Sequence, residues 1–231
     1  MRTIGLLGGM SWESSAEYYR IINETVNKRL GGNHSAKCLM YSFDFVEMEE
    51  LQKAGKWAEA TVRMIEAARS LKQGGADFLV ICTNTMHKMA DEVEHDVHIP
   101  LLHIVDAAAE QIVGRKYKKI GLLGTIFTME EAFYKERLAN RCELEVLVPD
   151  KADRQIVHRV IYDELVSGRI LSSSRDEYRR IIESLVANGS EAILLGCTEI
   201  GLLVKSTDCQ VPLFDTTRIH ALAAVEYALR E

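Results

Sequence analysis

Hydrophobic positions along this chain fall in short apolar runs that alternate with longer amphipathic segments. A short apolar run bounded by glycine or by a polar cluster is typical of a buried strand. These runs predict strands at about 3–8, 37–43, 77–83 and 101–105 in the first half and at about 119–124, 143–148, 191–197 and 211–215 in the second. Strands that alternate with helices are typical of parallel sheets with helices on both faces.

The segment before the seventh predicted strand carries signals for both ends of a helix. Ser174 and Glu177 have the spacing of a capping box, which predicts that a helix begins there. Apolar residues then recur at helical spacing, at Tyr178, Ile181, Ile182 and Leu185. Gly189 follows them and predicts the end of the helix.

The pattern of the first half recurs in the second half. "TIGLLGGM" at 3–10 and "KIGLLGTI" at 119–126 are identical at five of eight positions. Two further pairs of segments match in the same order and at nearly the same offset, 70–84 with 184–198 and 99–102 with 211–214. Three matches in order, spaced by about half the chain length, indicate an internal duplication.

The duplication predicts an α/β fold of two pseudo-symmetric doubly wound domains, each with a mostly parallel four-stranded sheet. We expect a first domain at 1–105, joined by a C-terminal helix at 216–231, and a second domain at 106–215. Eight strand–helix units could also close into one (β/α)₈ barrel. The halves match each other more closely than the quarters do, which favours two domains with the active site in the cleft between them.

Composition and charge limit the partners, metals and cellular location that we expect for this chain. The net charge of −6 and the pI of about 5.7 give no sign of a nucleic-acid partner. No apolar run approaches the roughly 20 residues of a membrane helix, and the first run is too short for a signal peptide. The five cysteines form no C-x-x-C pair, so we expect no metal, no disulfide framework and a reducing cytoplasmic location.

Cys197 stands where the seventh predicted strand ends, at the sheet edge where open α/β proteins bind ligands. In the duplication Cys197 aligns with Thr83 rather than with Cys82, and Thr198 aligns with Asn84. If the halves face each other across a pseudo-two-fold axis, a ligand between them meets one proton-transferring side chain on each face. That arrangement suits inversion of a stereocentre. A thiol suits the task because helix amino ends and hydrogen bonds can lower its pKa.

The motifs resemble those of a known family. "GLLGGMSW" at 5–12, "NTMHK" at 84–88 and "GCTEIGLL" at 196–203 resemble the aspartate/glutamate racemase family of the Asp/Glu/hydantoin racemase superfamily, and "VPLFDTTRIHA" at 211–221 is similar to its closing segment. The resemblance implies a cleft between two α/β domains, racemisation by two bases, no cofactor and commonly a homodimer. The partner that it implies is a small-molecule substrate, an amino acid.

The chain departs from the family pattern, which has a cysteine at both base positions. Thr83 precedes Asn84, and Cys82 lies one step back, where a strand turns the side chain to its other face. The chain therefore resembles the Thr/Cys subgroup, with catalytic residues Thr83 and Cys197. A hydroxyl is a far weaker base than a thiolate, so proton transfer at Thr83 needs help from water, a neighbour or the substrate.

Side-chain and backbone donors at helix amino ends hold carboxylates, although the same residues can simply cap helices. The substrate-binding candidates are Met10, Gln52, Asn84, Thr85, Thr125, Thr128 and Thr198. His87 is predicted to make a hydrogen bond at a helix start rather than to act as a base. Glu199 is either a charge at a helix amino end or a group that polarises the thiol.

The family typically binds the distal carboxylate with basic residues, but 43–52 and 161–168 contain no Arg or Lys. Gln52 is the predicted neutral contact, and Arg169 is a possible late substitute. A neutral distal site predicts weak discrimination between side chains, because it forgoes a charge-assisted pair.

The expected function is cofactor-independent racemisation of aspartate, glutamate or a broader set of amino acids. Two alternatives stay open: a decarboxylase of the same superfamily that uses a single cysteine, and an amino-acid binder without activity. A flavin- or NAD-binding protein is disfavoured because the opening loop is not G-x-G-x-x-G.

Overall fold

The computed structural model describes residues 1–143 and 145–230, arranged in two compact units. The first unit comprises Met1–His103 and the segment that begins at His220, and the second unit comprises Ile104–Ile219. Leu144 and Glu231 belong to the predicted strand 143–148 and the predicted helix 216–231, and both lie outside the described residues.

Strands and helices alternate along the described chain. The strands are β1 (Ile4–Gly8), β2 (Cys38–Ser42), β3 (Phe78–Ile81), β4 (Leu101–Leu102), β5 (Lys119–Gly124), β6 (Glu145–Leu147), β7 (Ala192–Gly196) and β8 (Leu213–Asp215). The α-helices are α1 (Trp12–Leu30), α2 (Phe45–Lys53), α3 (Trp57–Gln73), α4 (Ala90–Val97), α5 (Ile104–Val113), α6 (Ile126–Glu130), α7 (Ala132–Cys142), α8 (Lys151–Asp163), α9 (Ser172–Ala187), α10 (Ile200–Leu203) and α11 (Thr216–Leu229). Short 3₁₀ helices occupy Thr85–Met89, Leu165–Ser167 and Ser206–Asp208.

The two units contain the same kind of sheet. Within the described residues, the first unit has a four-stranded sheet in the order β2-β1-β3-β4, and the second has one in the order β6-β5-β7-β8. Every strand pair is parallel. The predicted fold class of two four-stranded parallel sheets surrounded by helices is therefore confirmed. Across the part of the chain that the structure describes, no helix is long and apolar enough to cross a membrane.

Each sheet separates two apolar cores, so its strands are buried on both faces. Along β3, Leu79 and Ile81 pack in one core, whereas Phe78 and Val80 pack in the other. Cys82 continues the alternation and joins the second core. Along β7 the same alternation places Ile193, Leu195 and Cys197 together. The period of two in side-chain direction thus determines which residue reaches which face at the strand ends.

Helices α3 and α9 end in the same way. Gly75 and Gly189 have φ of +99° and +98°, which favour glycine. The N–H groups of Gly75 and Gly189 donate to carbonyls three residues earlier, at Lys72 and Val186. These glycines end the helices, as the sequence predicts for Gly189, and turn the chain toward β3 and β7.

Two local predictions are wrong. The capping box at Ser174 and Glu177 does not form, because α9 begins earlier, at Ser172, and the Ser174 hydroxyl donates to Glu164 at 2.6 Å. The strand predicted at 101–105 ends at Leu102, because Ile104 and Val105 begin α5 and bury their side chains as part of a helix. In both cases a tertiary contact outweighs the local signal.

Candidate active site

Cys197 follows β7 directly and lies beside a buried carboxylate. Cys197 is 8% exposed and Glu199 is 3% exposed. The Cys197 thiol donates to Glu199 Oε2 at 3.0 Å, and the Thr198 hydroxyl donates to the same oxygen at 2.7 Å. One carboxylate oxygen therefore accepts from two neighbouring side chains at the end of the strand.

Burial, and then the charge and hydrogen bond of Glu199, raise the pKa of the Cys197 thiol well above its ordinary value. The backbone N–H groups of Glu199 and Thr198 act in the opposite direction and lower the pKa of this thiol. Burial and the carboxylate outweigh the two peptide donors, so the net direction is opposite to the lowering that a helix amino end can give a thiol. Cys197 consequently rests as a thiol.

Thr83 follows β3 in the first unit, at the position equivalent to Cys197. Thr83, Asn84 and Thr85 are all buried, and a 3₁₀ helix begins at Thr85. The Asn84 side chain makes no capping hydrogen bond to that helix. Cys82 packs in the apolar core, and burial raises the pKa of its thiol. The structure thus places Cys82 in the core and Thr83 at the strand end.

His87 binds the backbone of Thr83. Its Nδ1 donates to the Thr83 carbonyl oxygen at 2.8 Å, in keeping with the predicted hydrogen bond near a helix start. Burial, followed by the positive charges that His103 and His220 would carry, lowers the pKa of His87 well below its ordinary value. His87 therefore rests neutral and buried, and supports the segment that presents Thr83.

Sequence reasoning missed the histidines around His87. The His87 ring lies 4.7 Å from the His103 ring and 5.5 Å from the His220 ring. His220 accepts from the Tyr18 hydroxyl at Nδ1 and donates to the Leu102 carbonyl at Nε2, both at 2.8 Å. The position of His103 directly after β4 could have identified it as a candidate site residue. Nothing in the local sequence identifies His220 in this way.

The loop after β1 lies beside the end of β3, since Leu7 pairs with Ile81. Gly9 has φ of +86°, and a Cβ there would collide with the backbone of Phe43. The Gly9 N–H donates to the Ser15 hydroxyl at 2.8 Å. Met10 follows with its side chain in the core, so only its backbone remains as a candidate ligand group.

Gln52 is buried on α2. Its side-chain amide donates to the Met86 sulfur at 3.2 Å, next to the segment that presents Thr83. Of the acidic residues before it, Glu47 is exposed and pairs with Arg63, and the half-buried Glu49 pairs with Lys53. Glu50 is exposed as well. Gln52 is therefore the uncharged candidate for substrate binding on this helix.

Thr125 and Thr128 lie in the second unit beside the end of β7, because Gly124 pairs with Gly196. Thr125 caps α6 by accepting from the Thr128 N–H at 3.3 Å, and both threonines are buried. A Cβ on Gly124 would come within 2.8 Å of the Gly196 carbonyl, so glycine permits the close approach of the two strand ends.

His158 is a second residue that sequence reasoning missed. Its Nδ1 accepts from the Ile126 N–H at 3.3 Å, which places an imidazole against the start of α6. Arg169, the possible late substitute, is exposed and donates to the Asp163 carbonyl. Within the second unit, His158 therefore lies beside the Thr125–Thr128 segment.

The predicted residues divide between the two units. The first unit contains Met10, Gln52, Thr83, Asn84 and Thr85, and the second contains Thr125, Thr128, Cys197 and Thr198. In residues 1–143 and 145–230, no group of His, Cys, Asp and Glu side chains is arranged to hold a metal ion. The chemistry available at the strand ends is that of a thiol, a carboxylate, hydroxyls and peptide N–H groups.

Comparison with known proteins agrees with these motifs. A family model described as Asp/Glu/hydantoin racemase matches residues 7–224. A solved protein from Yersinia pestis assigned as an Asp/Glu racemase is 54% identical with a TM-score of 0.92, and both chains are covered completely. An aspartate racemase homologue from Pyrococcus horikoshii OT3 is 32% identical with a TM-score of 0.85, again over all of both chains. The broad specificity amino-acid racemase RacX of Bacillus subtilis is 20% identical over 96% of each chain.

Proposed function

Because the chain belongs to the Asp/Glu/hydantoin racemase family, and so to the racemase class of isomerases, we propose that it inverts the Cα stereocentre of free amino acids without a cofactor. Aspartate and glutamate are the first substrates to consider, because one solved relative of the chain is assigned as an Asp/Glu racemase and another is described as an aspartate racemase homologue. A broader set is supported by the similarity to the broad specificity racemase of Bacillus subtilis.

Cys197 and Thr83 are the proposed proton-transferring residues. The observation that carries this proposal is the thiol of Cys197, held at a strand end against a buried carboxylate and equivalent by duplication to Thr83. The mechanism requires one substrate to meet both residues on opposite faces of Cα. One face then loses its proton, and the other face of the carbanion receives one.

The remaining candidates are proposed to bind the substrate. Hydroxyls and peptide N–H groups suit the α-carboxylate, and they are supplied by Met10, Asn84, Thr85, Thr125, Thr128 and Thr198. Gln52 is proposed for the distal end of the side chain, where a neutral amide discriminates weakly between charged and uncharged substrates. We further propose a homodimer in the cytoplasm, where five free thiols remain reduced.

The proposal is tested by proton NMR in deuterated water with each standard L-amino acid and homoserine, followed by chiral chromatography. We expect the Cα hydrogen of aspartate or glutamate to exchange and the D-enantiomer to appear. We also expect measurable turnover of an uncharged relative such as homoserine or glutamine. Binding of these amino acids without exchange of any Cα hydrogen would contradict the proposal and favour a binder without activity.

One observation favours a second candidate. A thiol that rests protonated suits the donation of a proton to a carbanion, which is the step a cysteine decarboxylase of this superfamily performs. Release of carbon dioxide from substituted malonates, without exchange in amino acids, would support this candidate.

A further inference from the structure

The sulfur of Cys197 is surrounded by groups suited to both of its protonation states. The backbone N–H groups of Thr198 and Glu199 are placed to donate to a thiolate, whereas the Glu199 carboxylate accepts from the thiol. A carboxylate that approaches a buried sulfur to 3.0 Å would repel a thiolate if both were charged. The contact is favourable only when the two groups share at least one proton.

We propose that Glu199 receives the proton of the Cys197 thiol when the sulfur acts as a base, so that the two side chains work as one acid–base pair. This inference rests on the proposed racemase function and assigns a role to a residue that acts through Cys197. The Thr198 hydroxyl, which donates to the same Glu199 oxygen at 2.7 Å, keeps the carboxylate turned toward the sulfur.

The protons balance in each direction. With one proton on the pair, that proton moves from Sγ to Glu199 Oε2, and the thiolate then takes the Cα proton. The C–H bond breaks, an S–H bond forms, and the electron pair stays on the substrate as the carbanion, which the opposite face reprotonates. In reverse, the doubly protonated pair gives its thiol proton to the carbanion, and Glu199 returns its own proton to the sulfur. Neither state places two negative charges side by side.

The other titratable groups around the pair are less suited to hold this proton. Tyr178 on α9 donates to the Val157 carbonyl, and burial followed by the charges of Cys197, Glu164 and Glu199 raises its pKa. Burial and then Cys197 likewise raise the pKa of Tyr134 on α7. Both tyrosines stay protonated and cannot accept.

Two other carboxylates on neighbouring elements accept hydrogen bonds from other donors. Glu164 accepts from the Ser174 hydroxyl at 2.6 Å, and Asp215 on β8 accepts from the Thr217 N–H at 2.9 Å. Glu199, by contrast, places a side-chain oxygen 3.0 Å from this sulfur.

The test is the variant Glu199→Gln, which keeps the size of the side chain but cannot take a proton. Exchange of the enantiomer that Cys197 deprotonates should slow about 10²-fold at neutral pH, a loss typical of a missing general base. The rate should recover as pH rises, because the thiol must then ionise to solvent. Glu199→Asp, which retains a carboxylate, should keep more activity at neutral pH, and Glu183→Gln on the exposed surface of α9 is the matched control.

Alkylation of Cys197 by iodoacetamide, followed by peptide mass spectrometry over a pH series, provides the second readout. Removing the neighbouring charge should move alkylation of Cys197 to lower pH in Glu199→Gln, while Cys38 serves as an internal reference. The acid–base pair predicts that in Glu199→Gln the Cys197 thiol ionises more readily and the substrate nevertheless exchanges its Cα hydrogen more slowly at neutral pH. Loss of packing alone would not give a pH profile that recovers.

If Glu199→Gln exchanges the Cα hydrogen at neutral pH at least as fast as the unmodified protein does, this result would overturn the inference. A slower rate with an unchanged pH profile, or an unchanged alkylation profile, would do the same. In each of these cases an inactive Cys197→Ala variant would leave the proposed function standing. If the unmodified protein exchanges no Cα hydrogen, the proposed function fails, and the pair fails with it.

Discussion

At the scale of single residues, Cys82 and Cys197 are two buried thiols at the ends of β3 and β7. Burial raises the pKa of both. The Cys82 sulfur lies in an apolar core, 4.0 Å from the Val80 carbonyl, whereas the Cys197 sulfur donates to Glu199. Only the second thiol therefore has a partner that can exchange a proton with it.

Replacing Cys197 with alanine or serine should abolish inversion of L- and D-substrates alike, because each direction of the proposed mechanism uses both faces of Cα. The fold should persist, since each substitution changes a single side-chain atom and alters the packed volume little. Chiral chromatography measures inversion, and thermal unfolding measures stability. Cys82→Ala is the matched control and should remain active, so a folded and active Cys197→Ala protein would contradict the assignment.

At the scale of elements, the histidines connect three segments of the first unit: the 3₁₀ helix after β3, the end of β4 and α11. His220 on α11 binds both Tyr18 on α1 and the backbone of β4. Burial lowers the pKa of His220 to about 4. A hydrogen-bonded neutral imidazole thus holds the last helix against the sheet.

This arrangement predicts that stability depends on pH. In the unfolded chain His220 binds a proton near pH 6.5, whereas in the folded protein it does so only near pH 4. Between these values the unfolded state binds more protons, so the free energy of unfolding falls as pH falls through this window. The loss from His220 alone is on the order of 3 kcal/mol.

Urea unfolding between pH 7 and pH 4 measures this loss. His220→Gln, which cannot titrate, should show a smaller decrease than the unmodified protein, and the exposed His34→Gln should show the same decrease as the unmodified protein. Equal decreases in all three proteins would mean that His220 does not carry the effect.

The turn between β1 and α1 makes a further prediction at this scale. Gly9 and Gly31 both have positive φ, +86° and +74°, but a Cβ on Gly9 would collide with the Phe43 backbone and a Cβ on Gly31 would meet nothing within 4 Å. Alanine costs roughly 1–2 kcal/mol from the backbone conformation alone. Gly9→Ala should therefore lower the free energy of unfolding more than Gly31→Ala, and similar losses in urea titrations would contradict the close approach.

At the scale of the whole molecule, the duplication has given two sheets with one strand order and different residues at equivalent strand ends. Thr83 and Cys197 differ greatly in acidity, since a hydroxyl is a much weaker acid than a thiol. The two enantiomers of a substrate should therefore exchange their Cα hydrogen at unequal rates, although the equilibrium between them must remain one.

Thr83→Cys should restore a symmetric pair and bring the two exchange rates closer together. Proton NMR in deuterated water, started from each pure enantiomer, measures both rates. Equal rates in the unmodified protein, or full activity of Thr83→Ala, would mean that another group serves that face.

The sequence by itself determined the strand–helix alternation, the parallel sheets and the strand-end positions of Thr83 and Cys197. These features depend on local periodicity, on glycines that end helices and on a repeat visible within one chain. The fold class follows from them because a strand that is apolar on both faces must be covered by helices on both sides.

Only the tertiary structure decided which side chains meet. Ser174 binds Glu164 instead of capping α9, and Tyr18 meets His220 across 202 positions of sequence. Even Glu199, two residues from Cys197, reaches the sulfur because the chain turns after β7 and brings the buried carboxylate beside the Cys197 thiol and the Thr198 hydroxyl. Local patterns specify backbone conformation, whereas these contacts and the pKa of the thiol depend on burial and on the direction of side chains brought together by the fold.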